Sequence, residues 1–490
     1  MDFLDPQKQK AHSRRLALGY ALIGLALVLA TTILLYLAYG FGLDKEGRVI
    51  QNGLIFVSSH PVGADVHINN KLYKDQTNTR MPLPAGQYVM QLSRDGYNNW
   101  RRAITVEGGI VERFDYPLLL PSSLATTTTK QYTSTPTVVS ASQDRHWLVV
   151  GLATENNFDL YDLDAKKPVA TVISVNPDIL AAGTTTTGWE AIDWANNNRH
   201  LLLRRTYDRN GQPGTEYILL DREDPTATQN LSILFGFSPT SLAFNGRAQD
   251  KFYAFDQNSG EVFTVEVKKP TPTPYLSDVL AFAPDGDNVL YVTDAGAPAG
   301  KVLVRLRQKT ATPYTIRQLP ANSAYLLKLA NYANDTFVAA GATTDNKVYV
   351  YKDPLAILKE DKTATPAPIQ ILKLDAPSHL SFSPNKRFFV VENSDKFAAY
   401  DAETDKAYAY QIKTPLDAPT THATWMDGYR MNVMSGGKLV TFDFDGSNSR
   451  TLTAANPTLL PAFDRSYNYM YLLNAQNTLT STALPTPEDL

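Results

Sequence analysis

Three successive patterns of apolar and polar positions divide this chain, and each predicts a different kind of element. The first is an unbroken apolar run. From Leu16 to Tyr39 the sequence reads LALGYALIGLALVLATTILLYLAY without a charged residue. At about 1.5 Å rise per residue, a helix of that length crosses a hydrocarbon core of about 30 Å. A cleavable signal peptide has a shorter apolar region ending in an A-x-A-like site. None follows here, so the helix is expected to remain as an anchor. A helix buried in a soluble protein rarely lacks polar residues for so long.

Charge around the run sets its expected direction. Lys8, Lys10, Arg14 and Arg15 precede it, whereas Asp44, Lys45, Glu46 and Arg48 after it hold no basic excess. The positive-inside rule then predicts a cytoplasmic tail over residues 1–15, a transmembrane helix over 16–39 and an exported remainder, with Tyr36 and Tyr39 at the outer interface.

After a juxtamembrane stretch, 40–52, the period changes to two over residues 53–121, with Gly and Pro as punctuation. Leu54 to Ser59 is one apolar run, and Asp65-Val66-His67-Ile68-Asn69 alternates. Asn69-Asn70 supplies a turn, and further turns are expected at Pro84-Ala85-Gly86, Arg94-Asp95-Gly96 and Glu107-Gly108-Gly109. About five or six short antiparallel strands in a small β-sandwich follow from this spacing.

Residues 122–137, SSLATTTTKQYTSTPT, read as an extended linker; an exposed edge strand with Thr on both faces is the other reading. Beyond it, over 138–490, an apolar pair, a polar turn, an apolar strand, a second turn and a strand ending in aromatic-Asp recur. The clearest copies are Leu280–Val292 (LAFAPDGDNVLYV) and Leu380–Val391 (LSFSPNKRFFVV), and looser ones begin near Val139, Ile192, Leu242, Leu327, Ala423 and Leu460. Closing pairs include Tyr161-Asp162, Phe255-Asp256, Tyr400-Asp401 and Phe442-Asp443. A spacing of about 40 to 55 residues is the period of four-stranded propeller blades. The expected fold is therefore an all-β ectodomain, a small sandwich plus a propeller of eight blades (seven if the terminal copies share one), behind one N-terminal transmembrane helix.

Two stretches resemble known families. SSHPVGADVHINNKLYKDQT followed by LPAGQYVMQLSRDGYNNWRRAITVEGG resembles the PEGA domain, a small β module of bacterial surface and envelope proteins. The matching positions are Pro61, Gly63 and Ala64 of the name-giving motif, Gly86 before a strand, and Gly96, Tyr97 and Trp100. Val62 stands where the eponymous Glu would be, and Lys74-Asp75-Gln76-Thr77 where the family has a Gly and a Thr-Pro. The resemblance implies a non-catalytic spacer or adhesion module; Tyr97 and Trp100 read as core packing ahead of sugar stacking. The repeats resemble the WD40-like repeats of TolB-type propellers, carried best by Phe282 through Pro284, Asp285 and Gly286, and by Phe382 through Pro384 and Asn385. The Trp-Asp dipeptide of true WD40 repeats is absent. In such a turn Pro fixes φ, and Asp-Gly or Asn closes a tight corner.

Composition removes several functions. The chain has 490 residues, 46 basic against 49 acidic side chains, and no cysteine. No basic field of the kind nucleic acid requires is present. Disulfides, thiolate metal sites and cysteine nucleophiles are excluded. No G-x-S-x-G elbow occurs, Gly236-Phe-Ser-Pro-Thr240 being a poor approach to it. Ser142-Gln-Asp144-Arg-His-Trp147 echoes an Asp box, and Asp443-Phe-Asp445-Gly-Ser447 and Asp159, Asp162 and Asp164 echo calcium loops; hairpin turns are the plainer reading of each.

The seven histidines show no H-x-x-x-H or H-x-H spacing. His146, His200, His379 and His422 fall near the starts of different blades, as do Trp147, Trp189, Trp194 and Trp425. Equivalent blade positions meet around a propeller channel, yet turns and packing are the plainer reading. The expectation is a non-enzymatic, membrane-anchored envelope protein whose PEGA-like spacer presents a propeller to a protein or glycan, with no cofactor, no metal and no nucleic acid. The rivals are an accessory subunit of an envelope complex, and an envelope hydrolase or lyase whose polar residues assemble in the channel.

Overall fold

The computed structural model describes residues 6–38, 40–43, 48–309, 311–362, 364–413, 416–417, 422–457 and 459–484; the side chains of 6–11, 37 and 43 are not described. Lys8 and Lys10 are therefore seen as backbone only, and Tyr39, Asp44, Lys45 and Glu46 lie outside the described residues. The chain divides into two compact units, the first ending at Ser123 and the second beginning at Leu124.

The first unit opens with helix α1, Pro6–Ala38. It begins before the apolar run because Pro6 fits a first helical turn, where its missing N–H is not needed. Arg14 and Arg15 lie on it, exposed. The stretch His12–Tyr36 is long and apolar enough to cross a membrane. Leu18, Leu22, Leu27 and Ile33 are each more than half exposed.

Eight strands follow: β1 (Phe41–Leu43), β2 (Val49–Val57), β3 (Asp65–Ile68), β4 (Lys71–Gln76), β5 (Thr79–Pro84), β6 (Gly86–Ser93), β7 (Trp100–Val106) and β8 (Val111–Phe114). One sheet runs β1-β2-β5 with β8 parallel to β2, and the other runs β4-β3-β6-β7. Ile55, Val57, Val66, Met90, Leu92 and Trp100 fill the core. Asn69 and Asn70, both at positive φ, make the predicted β3–β4 hairpin. The turns at Pro84-Ala85-Gly86 and Glu107-Gly108-Gly109 are not hairpins. Each carries the chain from one sheet to the other, which is why the strands number eight and include a parallel pair. Two-residue periodicity reveals which face is apolar and leaves open which sheet a strand joins.

The second unit is a propeller. Its described residues form eight four-stranded sheets, seven of them consecutive meanders over 136–174, 185–230, 241–276, 279–320, 325–373, 379–411 and 424–454. The eighth takes three strands from 462–483 and its outermost from β9 (Thr126–Gln131). The first strand of the eighth blade contacts the first strand of the first, closing the ring. The segment expected as a linker is thus corrected to a blade strand, and the propeller starts at Leu124 rather than at residue 138. Thr on both faces looked like a solvated spacer because β9 is an outer strand paired on one side only.

Apolar clusters sit between blades. Val149, Phe158 and Trp189 join the first to the second, and Val390, Phe397 and Met431 join the sixth to the seventh. Residues of alternate parity on each middle strand serve opposite neighbours, so continuous apolar runs appear in sequence. Trp194 Nε1 donates to Ser140 Oγ, and Trp425 Nε1 to Ser381 Oγ, both at 3.0 Å, so each indole ties its blade to the preceding one.

Candidate functional site

The site is built from the first strands of the blades, which a propeller arranges around its channel. The strand Thr185–Trp194 brings Asp193, the turn after Ser241–Phe244 brings Arg247, and Val279–Asp285 ends on Asp285. Lys328 comes from Tyr325–Tyr332, and His379 and Lys386 come from the sixth blade. Asp193 and Arg247 stand 3.6 Å apart and remain 40% and 50% exposed. Surrounding protein raises the Asp193 carboxyl and lowers the Lys328 and Lys386 ammonium groups, which also feel one another and Arg247. These charged groups, drawn from different blades, are partly shielded from solvent and close enough to act on one another.

At the boundary of the sixth and seventh blades the arrangement is tighter. His379, on the strand His379–Phe382, is the register partner of Glu392, on Phe388–Asn393. His422 stands shortly before the first strand of the next blade, and its ring stacks on His379 at 4.2 Å and 16°. Glu392 is 1% exposed. Its Oε2 accepts a hydrogen bond from the Ala423 N–H at 3.0 Å, while Oε1 accepts none, the nearest His422 nitrogen, Nδ1, lying 3.7 Å away. Burial pushes the Glu392 carboxyl up to about 8. Burial, with His422 and Lys328 adding to it, pushes His379 down to about 4, and burial lowers His422 as well. Beside them Tyr410 is partly buried with its hydroxyl enclosed and unpartnered, and desolvation and nearby carboxylates, Glu392 among them, hold it well above its ordinary value. Near neutral pH the group is thus two neutral imidazoles over a protonated or easily deprotonated carboxyl.

Spacing along the chain did not reveal this trio. Two members become neighbours only through hairpin register, and the third arrives from another blade. The signal that could have found it is the Phe-Ser-Pro turn, since fixing that corner pairs His379 with Glu392.

The other two blade histidines sit elsewhere. His146 Nε2 lies 3.0 Å from Asp162 and 3.7 Å from Asp164, and His200 Nε2 lies 3.4 Å from Asp221. Each is held at a blade turn. Asp144 is taken by Ser142 in its own turn and by Arg465 of the eighth blade, Asp159 by Lys130 of the eighth blade, and Asp445 by Ser447 in its own turn, so these hinted calcium and Asp-box positions are turn and inter-blade ties. The aromatic-Asp pairs end third strands at Asp162, Asp401 and Asp443, but Asp256 ends a second strand. Pro284 and Asp285 continue their strand and Gly286 turns at φ +58. In the sixth blade Pro384 and Asn385 form the turn, Asn385 Oδ1 accepts from the Ser383 hydroxyl at 2.6 Å, and Lys386 takes the positive φ.

In the first unit, Gly63 has φ +79, and the flanking Ala64 N–H donates to Thr77 Oγ1 at 3.0 Å. Ser59 Oγ donates to the Pro61 carbonyl. Gly96 has φ +81. Gly86 does not adopt a positive φ, and a side chain there would meet the Tyr88 ring at an ordinary 3.6 Å, so conformational freedom is not its role. Tyr97 and Trp100 are buried, Trp100 packing edge-on against Tyr116.

Comparison with known proteins agrees with this division. Residues 52–119 match the family model of the PEGA domain. No curated protein sequence matches the chain. Among solved structures, Hsv2 of Kluyveromyces lactis is 9% identical, with 65% of this chain and 98% of that one covered at a TM-score of 0.42. The Dos1 propeller is 10% identical, with 74% and 95% covered and a TM-score of 0.42. The dihydro-heme d1 dehydrogenase NirN is 15% identical, with 66% of each chain covered and a TM-score of 0.39. The chain carries a PEGA domain over residues 52–119 and, after it, a β-propeller of eight sheets.

Proposed function

We propose that this chain is a membrane-anchored, non-enzymatic envelope protein in which α1 spans the membrane with its N-terminal end in the cytoplasm. The PEGA domain is the spacer, and the propeller binds a protein or a glycan through its channel face. The observation that carries this reading is the run of exposed leucine and isoleucine side chains along α1, whose length matches a hydrocarbon core. Lys8, Lys10, Arg14 and Arg15 at its start support the orientation. Charges of both signs at the channel suit a polar partner. Protease added to intact or wall-stripped cells should remove everything after α1 and leave a fragment of a few kilodaltons; full protection overturns the topology. Crosslinking in cells then reads the partner: recurrent capture of one membrane complex favours an accessory-subunit role.

One observation favours a second reading, an envelope hydrolase or lyase. The paired imidazoles over Glu392 are the kind of perturbed cluster that acid–base chemistry uses. Turnover of glycan or peptide substrates by the purified full chain, lost in Glu392→Gln, would replace the binding reading with this one.

A further inference from the structure

We infer that His379, Glu392 and His422 form a binding site for one divalent transition-metal ion of the zinc class at the boundary of the sixth and seventh blades. Three observations carry it. One ligand atom from each residue lies within 4.8 Å of the others, and among the described residues no second His, Asp and Glu group does this. Glu392 is almost fully buried, yet its Oε1 accepts no hydrogen bond and faces the His422 ring. A buried carboxyl oxygen without a partner is costly, and a cation between it and the imidazoles removes that cost. Finally, the Ala423 N–H holds Oε2 and so fixes the carboxyl's orientation, as a supporting contact does around a metal ligand.

The donor set selects the ion. Two ring nitrogens and one carboxylate suit zinc and its neighbours, whereas calcium and magnesium take oxygen ligands. Bonds of about 2.0–2.2 Å place tetrahedral ligands roughly 3.3–3.6 Å apart, so no pair of the trio needs to close by more than about 1.5 Å. Turning the half-exposed His422 ring out of its stack on His379 supplies that movement. Lys328 is the cation that acts on His379, and it is itself opposed by Asp193. With three protein ligands a fourth position stays open, as in zinc sites that bind an exchangeable group. This inference concerns one blade boundary and stands apart from the anchoring and from the identity of any partner.

The test uses the detergent-purified full chain, stripped with chelator and titrated with Zn²⁺ by calorimetry and with Co²⁺ by visible absorption. One ion per chain, with the intense d–d bands of low-coordinate Co²⁺, is expected. His422→Ala, at a partly exposed position, should keep the fold and weaken binding at least tenfold, as should His379→Gln. His146→Ala, at a blade turn, should leave binding unchanged. Absence of stoichiometric binding overturns the inference, and so does binding that persists in His422→Ala and His379→Gln variants whose circular dichroism matches the parent.

Discussion

Arg387 and Asp401 meet fork to fork, with Nε donating to Oδ1 at 2.7 Å and Nη2 to Oδ2 at 2.6 Å. They sit at one end of a hairpin in which Phe388 pairs with Asp401. The same carboxylate accepts from the Glu403 N–H at 3.0 Å and the Thr404 hydroxyl at 2.8 Å. One aspartate thus ties the turn before the second strand to the turn after the third. Arg199 and Asp221 repeat the arrangement in the second blade.

Removing the acid should leave a largely buried guanidinium with only the exposed Glu403 carboxylate as an ionic partner. Asp401→Ala is expected to cost about 3 kcal/mol, read as a lowered urea midpoint of the propeller. A loss below about 0.5 kcal/mol, the range of exposed ion pairs, would show the pair to be ornamental.

The ring's closure rests on a second knot. Lys130 Nζ donates to Asp159 Oδ2 at 2.6 Å, Tyr132 Oη donates to the same oxygen at 2.7 Å, and the Tyr132 and Tyr161 hydroxyls lie 2.9 Å apart. Asp159→Ala should therefore loosen the eighth blade before any other. Amide exchange over 126–131 and 478–483 is expected to speed up at least tenfold, with 241–276 unchanged. Uniform acceleration around the ring would contradict this.

Arg205 and Glu216 form an ion pair with side chains only 2% and 3% exposed. Thr184 and Thr186 hydroxyls accept from the guanidinium, and Asn230 donates to the carboxylate at 2.6 Å. Arg205→Met alone should cost about 3 to 5 kcal/mol, because Glu216 is left charged and buried. Combining Arg205→Met with Glu216→Leu in one chain should recover most of that loss in calorimetric Tm. Equal losses in the single and double variants would mean that packing, not charge, sets the cost.

In metal-free protein Glu392 makes stability fall as pH rises. Its carboxyl titrates at about 8 in the folded chain against an ordinary 4.5, so between those values the unfolded chain ionises first and gains. His379 acts in the opposite direction: held at about 4 against 6.5, its contribution is complete above 6.5 and lost as pH drops towards 4. Glu392→Gln should raise Tm at pH 8 and change it little at pH 4.5, measured by calorimetry in chelator. An equal shift at both pH values would remove the titration argument.

Much of the fold can be read along the chain. The aromatic-Pro turn marks two blade starts, because a corner that needs fixed φ needs particular residues, and looser apolar copies at about the same spacing mark the other six. In the PEGA core Val66 announces itself by alternation, and Trp100 through the family resemblance. Sheet membership in the sandwich, β9's place in the ring and the His379–Glu392–His422 cluster do not, since each depends on partners distant in sequence. His146 and His200 resembled His379 and His422 by blade position alone; only the neighbouring acids separate them.

Strand β9 bears on how the molecule is made. Thr127 and Ser481, which meet across the closing ladder, are separated by 354 residues. During synthesis β9 emerges long before its partner, so it must persist as an unpaired edge while seven blades assemble, and such long-range pairing is slow. A hydrophobic strand left open for that time would recruit other chains. TTTTKQ, hydroxyl-rich and ending in Lys130 and Gln131, is a strand that tolerates waiting in water. The composition that disguises it as a spacer is what lets the nascent ring stay soluble until it can shut.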